Sequence, residues 1–151
     1  MGVTIRIEDH IPEAKQKLGK EIYKRMRESV EIVKTKAVEK LSGARHGRQY
    51  RIPGTNRFYT ASAPGEPPAV RLGELRQHVY TRVGEGDGLV AGQVTGDVVG
   101  EVGTDTIQGQ VTETGSKKMA PRPWLEPSFE ESQEQVIRTF TRPMEDGHDN
   151  D

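Results

Sequence analysis

The residues of this chain that could do chemistry are few, and their settings exclude most of the chemistry they could do. None of the four histidines, His10, His46, His78 and His148, has a second histidine three or four residues away, the spacing by which a helix presents two imidazoles to one metal ion. His10 follows Asp9 at the expected start of a helix and reads as a capping-region residue, and His148 lies in an acidic tail. Cysteine is absent, so neither a disulfide nor thiolate ligation is available. Gly84-Glu85-Gly86-Asp87-Gly88 lacks the order of a dinucleotide-binding loop, and its acids would repel phosphate. Gly115-Ser116-Lys117-Lys118 lacks the upstream glycine of a phosphate-binding loop, so both clusters read as turns. No serine sits in a nucleophile elbow; Ser62, within Ala61-Ser62-Ala63, has no activating neighbour, and Glu130-Glu131 belongs to a solvated helix face. No catalytic constellation, metal site or cofactor is expected.

One stretch does suggest binding. Arg45, His46, Arg48, Arg51 and Arg57 are interleaved with Tyr50, Phe58 and Tyr59, with no acid between Ser42 and Thr60. Arginines fix phosphates and aromatic rings stack on exposed bases, so a nucleic-acid-binding module is one reading. The same side chains suit an acidic protein surface, and the chain supplies one itself. Residues 1–60 carry fourteen Lys/Arg against seven Asp/Glu, whereas residues 83–151 carry five against fourteen. Such polarity favours head-to-tail contact between copies.

The elements that must position these residues form an α+β pattern. At 151 residues the chain has the length of one ordinary domain. Its 32% hydrophobic and 30% charged residues, with 17 glycines and 9 prolines, make a lean core with much loop. Val3, Ile5 and Ile7 alternate as in an edge strand. Ala14, Leu18, Ile22, Met26, Val30, Val33, Ala37 and Leu41 then step by three or four, predicting a helix from about Pro12 to Leu41. Asp9 is its expected cap, Glu13–Lys17 and Glu21–Arg25 are favourable pairs along it, and Gly43 is its stop. Residues 43–74 form a Pro/Gly-rich arm, expected to be ordered or hairpin-like because it carries aromatic residues worth burying. The runs Gln77–Val83, Leu89–Val94 and Val98–Val102, the last two joined by a Thr95-Gly96-Asp97 turn, predict a small antiparallel sheet under the long helix. Gly103–Ala120 reads as loop. A short C-terminal helix is expected from about Pro127 to Phe140, with Phe129, Val136, Ile137 and Phe140 inward and Pro143 beyond it. The main unit is placed at 1–143 and a flexible acidic tail at 144–151. No signal-peptide-like or membrane-length apolar run is present, so a soluble chain made in a cytoplasm, without membrane contact, is expected.

The arm and the segments after it also carry a resemblance. Tyr50-Arg51-Ile52-Pro53-Gly54, Ala61-Ser62-Ala63-Pro64-Gly65-Glu66-Pro67-Pro68-Ala69-Val70 and Gly73-Glu74-Leu75-Arg76 are followed by Val102-Gly103-Thr104, Glu113-Thr114-Gly115-Ser116 and Ala120-Pro121-Arg122-Pro123-Trp124-Leu125. In that order they resemble a family of small tailed-bacteriophage proteins described as neck, head–tail joining or tail-component proteins. The family pattern is approximately A-S-x-P-G-E-P-P-A, T-G-x-L-R, V-G-T, E-x-G-T and A-R-P-F-[LM], and the likeness covers about residues 12–140. Three positions depart from it: Leu72 replaces a hydroxyl residue, Gln110 and Val111 stand where an aromatic is usual, and Pro121 is inserted before Arg122.

The resemblance implies a non-enzymatic virion protein, a homo-oligomeric ring of six copies at the head–tail junction. Its partners would be the connector or head-completion proteins above and the tail tube or tail-terminator proteins below. A tail-terminator or tail-completion ring is the alternative within the same class, and sequence-independent contact with packaged DNA is a further expectation. The candidate contact residues are Arg45, Arg48, Tyr50, Arg51, Arg57, Tyr59, Pro64, Gly65, Glu66, Pro67, Pro68, Arg122 and Trp124. Prolines pre-extend the arm and lower the entropy lost when it docks. Arg122, between two prolines, is expected to be held out toward an acidic partner.

Overall fold

The computed structural model of the protein describes residues 1–7, 15–69, 73–84, 89–90, 93–94 and 98–144. The chain runs from strand β1 (Gly2–Ile7) to helix α1 (Lys15–Ser42), then through a hairpin of β2 (Gln49–Arg51) and β3 (Phe58–Thr60). A single turn, α2 (Glu74–Gln77), leads to β4 (Val79–Gly84), and the short strands β5 (Leu89–Val90) and β6 (Gln93–Val94) precede β7 (Val98–Thr104). Helices α3 (Ile107–Thr114) and α4 (Leu125–Thr141) close the order. The fold is α+β: a long helix, small antiparallel sheets and a shorter C-terminal helix.

Helix α1 follows the apolar stripe. Met26, Val30, Val33, Ala37 and Leu41 are all at most 2% exposed, so the three-and-four spacing becomes the centre of the core. The expected cap Asp9, Pro12 and the first residues of the stripe fall in 8–14, outside the described residues. Of the two expected pairs, Glu21 and Arg25 meet at 2.9 Å. Arg25 is buried, and it also donates to the carbonyls of Phe140 (2.8 Å) and Pro143 (3.2 Å). It thereby ties the end of α4 to α1.

The three-stranded sheet has the order β1-β7-β4, antiparallel throughout, with Val3 opposite Val102 and Thr81 opposite Val102 on the other side. Val98, Gly100, Val102 and Thr104 of the central strand are buried at alternate positions, as one face under a helix requires. Gly100 is where α1 comes closest: a Cβ there would stand 2.6 Å from both Met26 Sδ and Val30 Cγ1. The composition of this sheet corrects the sequence reading. The 89–94 run is not its third strand; β5 and β6 pair with each other, and β1 takes the edge instead. A run interrupted by Gly92 has little strand propensity, whereas β1 supplies six consecutive residues in register with β7. The Thr95–Asp97 turn lies outside the described residues.

Two further corrections concern the C-terminal third. The stretch taken as loop contains α3, whose N-terminus is capped by Thr106 accepting from the Gly109 amide at 3.1 Å. Only Gly109 and Thr112 of α3 are buried, so it leaves almost no apolar periodicity to read. Helix α4 starts two residues earlier than expected. It also turns a different face inward: Leu125, Ser128, Ser132, Val136 and Thr139 are buried, Phe129 and Phe140 pack at the edge of the core, and Ile137 is 61% exposed. Small hydroxyl side chains let α4 approach α1 closely. They satisfy themselves on preceding carbonyls, Ser132 on Ser128 at 2.6 Å and Ser128 on Trp124. Residues 145–151 of the expected tail lie outside the described residues.

Candidate functional site

The candidate residues of the sequence fall into two places, the projecting end of the arm and its base. The projecting end is the β2–β3 hairpin. Its ladder extends beyond the strands: Gly47 and Ala61 share a bond at 2.9 Å, Ala61 donates to Arg48, and Ile52 donates to Arg57 at 2.8 Å. The register sets Tyr50 opposite Tyr59 and Arg51 opposite Phe58. Side chains alternate between faces along a strand, so Arg48, Tyr50, Ile52, Tyr59 and Arg57 share one face, with Ile52 buried at its turn end, and Arg51 and Phe58 lie on the other. The two tyrosine rings stack at 5.9 Å between centroids. Tyr50 is 46% and Phe58 65% exposed. The turn is held by Arg51, which donates to Thr55 O at 2.7 Å and Asn56 Oδ1 at 2.6 Å, and by Gly54 at φ 76°. Arg51 is thereby engaged in its own loop, while no side-chain hydrogen bond or ion pair engages the guanidinium groups of Arg48 and Arg57 among the described residues.

The base of the arm is closed. Arg45 donates to Lys40 O, Gly43 O and Ala44 O at the end of α1, and to Pro67 O (2.8 Å) and Pro68 O (3.0 Å) across the arm. It caps the Lys40 carbonyl in the last turn of α1 while pinning the proline run. Burial pushes its guanidinium below the ordinary value, and the Glu66 charge opposes that shift. Glu66 accepts from the amides of Ala63 (2.7 Å) and His46 (3.0 Å) and meets His46 Nδ1 at 2.5 Å. These bonds, the Ala63 amide first, hold its carboxyl down at about 2. Pro68 is buried; Pro64 and Gly65 (φ 83°) form an exposed turn.

Beyond this base, four separated segments converge. Arg122 hydrogen-bonds the buried Ser62 side chain and its carbonyl, and the Arg122 amide donates to Thr112 O. Glu113 accepts three backbone amides at the start of α4: Trp124 (2.7 Å) and Leu125 (2.9 Å) on one oxygen, Glu126 (2.9 Å) on the other. A carboxylate at a helix N-terminus satisfies orphan donors and complements the helix dipole. Trp124 is fully buried, and its ring nitrogen donates to Gly109 O at 3.2 Å. Thr104 is likewise buried, and its hydroxyl meets that of Thr106. A Cβ on Gly109 would be 2.7 Å from Leu75 Cδ1, so the α2 turn packs here too.

This placement corrects several expectations about contact residues. Trp124 is core and Pro68 is buried. Arg122 turns inward to Ser62 instead of outward to a partner, and Arg45 is consumed within the chain. Glu113 was not among the expected residues. Its signal is an acid twelve positions before a helix, but nothing in that spacing says the chain will return to it. Of the expected contact residues, Arg48, Tyr50, Arg57 and Tyr59 on one hairpin face, the turn-bound Arg51 on the reverse face with Phe58, and the exposed Pro64–Gly65 turn remain able to meet another molecule. Among the described residues no group of three or more His, Asp or Glu is gathered as metal ligands. No helix of the described residues is long and apolar enough to cross a membrane. No protein-family model, no curated protein and no solved structure matches the chain.

Proposed function

We propose that this chain is a non-enzymatic ring subunit at the head–tail junction of a tailed bacteriophage, with a tail-terminating ring as the variant of the same reading. The observation that carries it is the convergence at the base of the arm. The segments that resemble the phage family (Ala61–Leu75, Val102–Thr104, Glu113–Ser116 and Ala120–Leu125) are far apart in sequence, yet they meet around Trp124: Arg122 bonds Ser62, Glu113 accepts the Trp124 amide, and Leu75 and Thr104 both lie against Gly109, whose carbonyl takes the Trp124 ring N–H. Motifs that fit together are what a shared architecture predicts; a proline-rich loop converged by composition would have no reason to contact the others. A projecting basic hairpin and an acidic C-terminal helix on one small chain suit a repeating assembly.

The test is the particle. Phage assembled without this chain should accumulate full heads and finished tails that are not joined, visible by negative-stain microscopy. Normal joined particles would overturn the proposal. A ring of six copies is the expected stoichiometry, readable from class averages or native mass spectrometry. A nucleic-acid-binding module is the second reading, favoured by the stacked tyrosines flanked by arginines; it requires steeply salt-dependent binding of DNA by the isolated chain.

A further inference from the structure

A two-stranded hairpin is marginal by itself, and among the described residues no other helix or strand packs closely on this one, although Ile52 at its turn end is buried. It presents Tyr50 to solvent on one face and Phe58 on the other. The face with Arg48 and Arg57 is specific in what it would accept. Two unengaged guanidinium groups flank a stacked tyrosine pair, and their strand positions set them about 13 Å apart.

The solvent face of α4 has the matching pattern. Glu126, Glu130, Gln133, Glu134 and Ile137 lie on one side of the helix, opposite the buried Ser128, Ser132 and Thr139. Glu126 and Glu134 are separated by about 12 Å along the axis. Glu126 and Glu130 make no ion pair among the described residues, and the Glu134–Arg138 pair is solvent-exposed and cheap to exchange. Ile137, 61% exposed, extends this face one turn beyond Glu134. At 17 residues the helix is about 25 Å long, longer than the roughly 17 Å of the hairpin ladder from Gly47 to Ile52, so the ladder can lie along it.

We infer that the Arg48–Tyr50–Tyr59–Arg57 face of one copy docks on the Glu126–Glu130–Glu134 face of α4 in the next copy. The donor and acceptor surfaces are different parts of the same chain, so the contact is heterologous and propagates from copy to copy until it closes. This names the partner surface within the ring reading and rests on that reading. Opposite charges steer the approach and suppress other registers, and the tyrosines supply the area removed from water.

The absence of cysteine makes disulfide trapping clean. A Tyr50→Cys protein mixed with a Gln133→Cys protein under mild oxidation should give a disulfide-linked heterodimer, with Phe58→Cys, on the reverse hairpin face, as the control. Yield at Tyr50 no higher than at Phe58 overturns the inference. A charge exchange gives a second readout. Arg48→Glu with Arg57→Glu should raise the protein concentration at which the chain assembles about tenfold or more, and adding Glu126→Lys with Glu134→Lys should restore it. Failure of that rescue also overturns the docking. Steep binding of a duplex DNA probe by the hairpin face, without the cross-link, does so in favour of nucleic acid. If heads and tails stay unjoined without the chain while no cross-link forms, the ring reading stands and this contact alone falls.

Discussion

The two ends of the arm contrast in exposure and hydrogen bonding, although residues 45–68 contain both. At the base, polar groups have protein partners: Arg45 is used up by carbonyls, Glu66 by amides, Arg122 by Ser62, and Glu113 by the start of α4. At the hairpin, two arginines and two large aromatic side chains face solvent. Burial makes an unmade hydrogen bond expensive, so the base is built to be satisfied internally. An exposed guanidinium has no such constraint and is available to a partner. Residue type did not separate these fates, since arginine occurs in both. The proximity of a second segment did.

The largest expected effect lies at the base. Trp124→Ala should cost about 3–5 kcal/mol in urea unfolding, the usual cost of emptying a fully buried aromatic site. A loss below about 1 kcal/mol would mean that this junction is not core. Glu113→Ala removes one acceptor from three amides and should cost about 2 kcal/mol. In the same variant the amides of Trp124, Leu125 and Glu126 should lose hydrogen-exchange protection, while those of Gln49–Arg51 keep theirs.

A pH prediction sharpens the boundary between the two regions. Glu66 is held at about 2, below its unfolded value, so its contribution is present above the ordinary carboxylate range and is lost as pH falls from about 4.5 toward 2. Protection of the Ala63 and His46 amides should fall in that window, and Glu66→Gln should abolish the dependence. An unchanged profile would show that the Glu66 contacts do not hold the base. The smallest expected effect on stability is at the hairpin. Tyr50→Ser and Phe58→Ser should each leave the unfolding midpoint nearly unchanged, within about 0.5 kcal/mol. Only Tyr50→Ser should weaken assembly, which sedimentation velocity can read.

Much of the architecture was legible because it is written in local periodicity. The α1 stripe, the alternation in β1 and β4, and the Pro/Gly break after Gly43 each need only neighbouring residues to interpret. Ile137 reads as inward because the four apolar residues Phe129, Val136, Ile137 and Phe140 carry the same signal, whereas the buried Ser128 and Ser132 carry no hydrophobic signal. Helix α3 was missed for the same reason: Thr106 caps it and Thr112 buries, but neither announces a core. The Arg51 and Arg57 positions both read as basic contact candidates, and only the turn shows that Arg51 is occupied by Thr55 and Asn56.

The amino-acid sequence by itself determined the α+β class, the long helix, the asymmetry of charge and the existence of a stiff basic arm. Composition and short-range spacing act through backbone torsion and local burial, which need no distant partner. Tertiary structure decided which of those basic residues are spent and which are offered. That choice depends on contacts such as Arg122 with Ser62, sixty residues apart, and Glu113 with the start of α4. A side chain's availability is set by what folding brings within hydrogen-bond reach, a quantity that no residue carries alone.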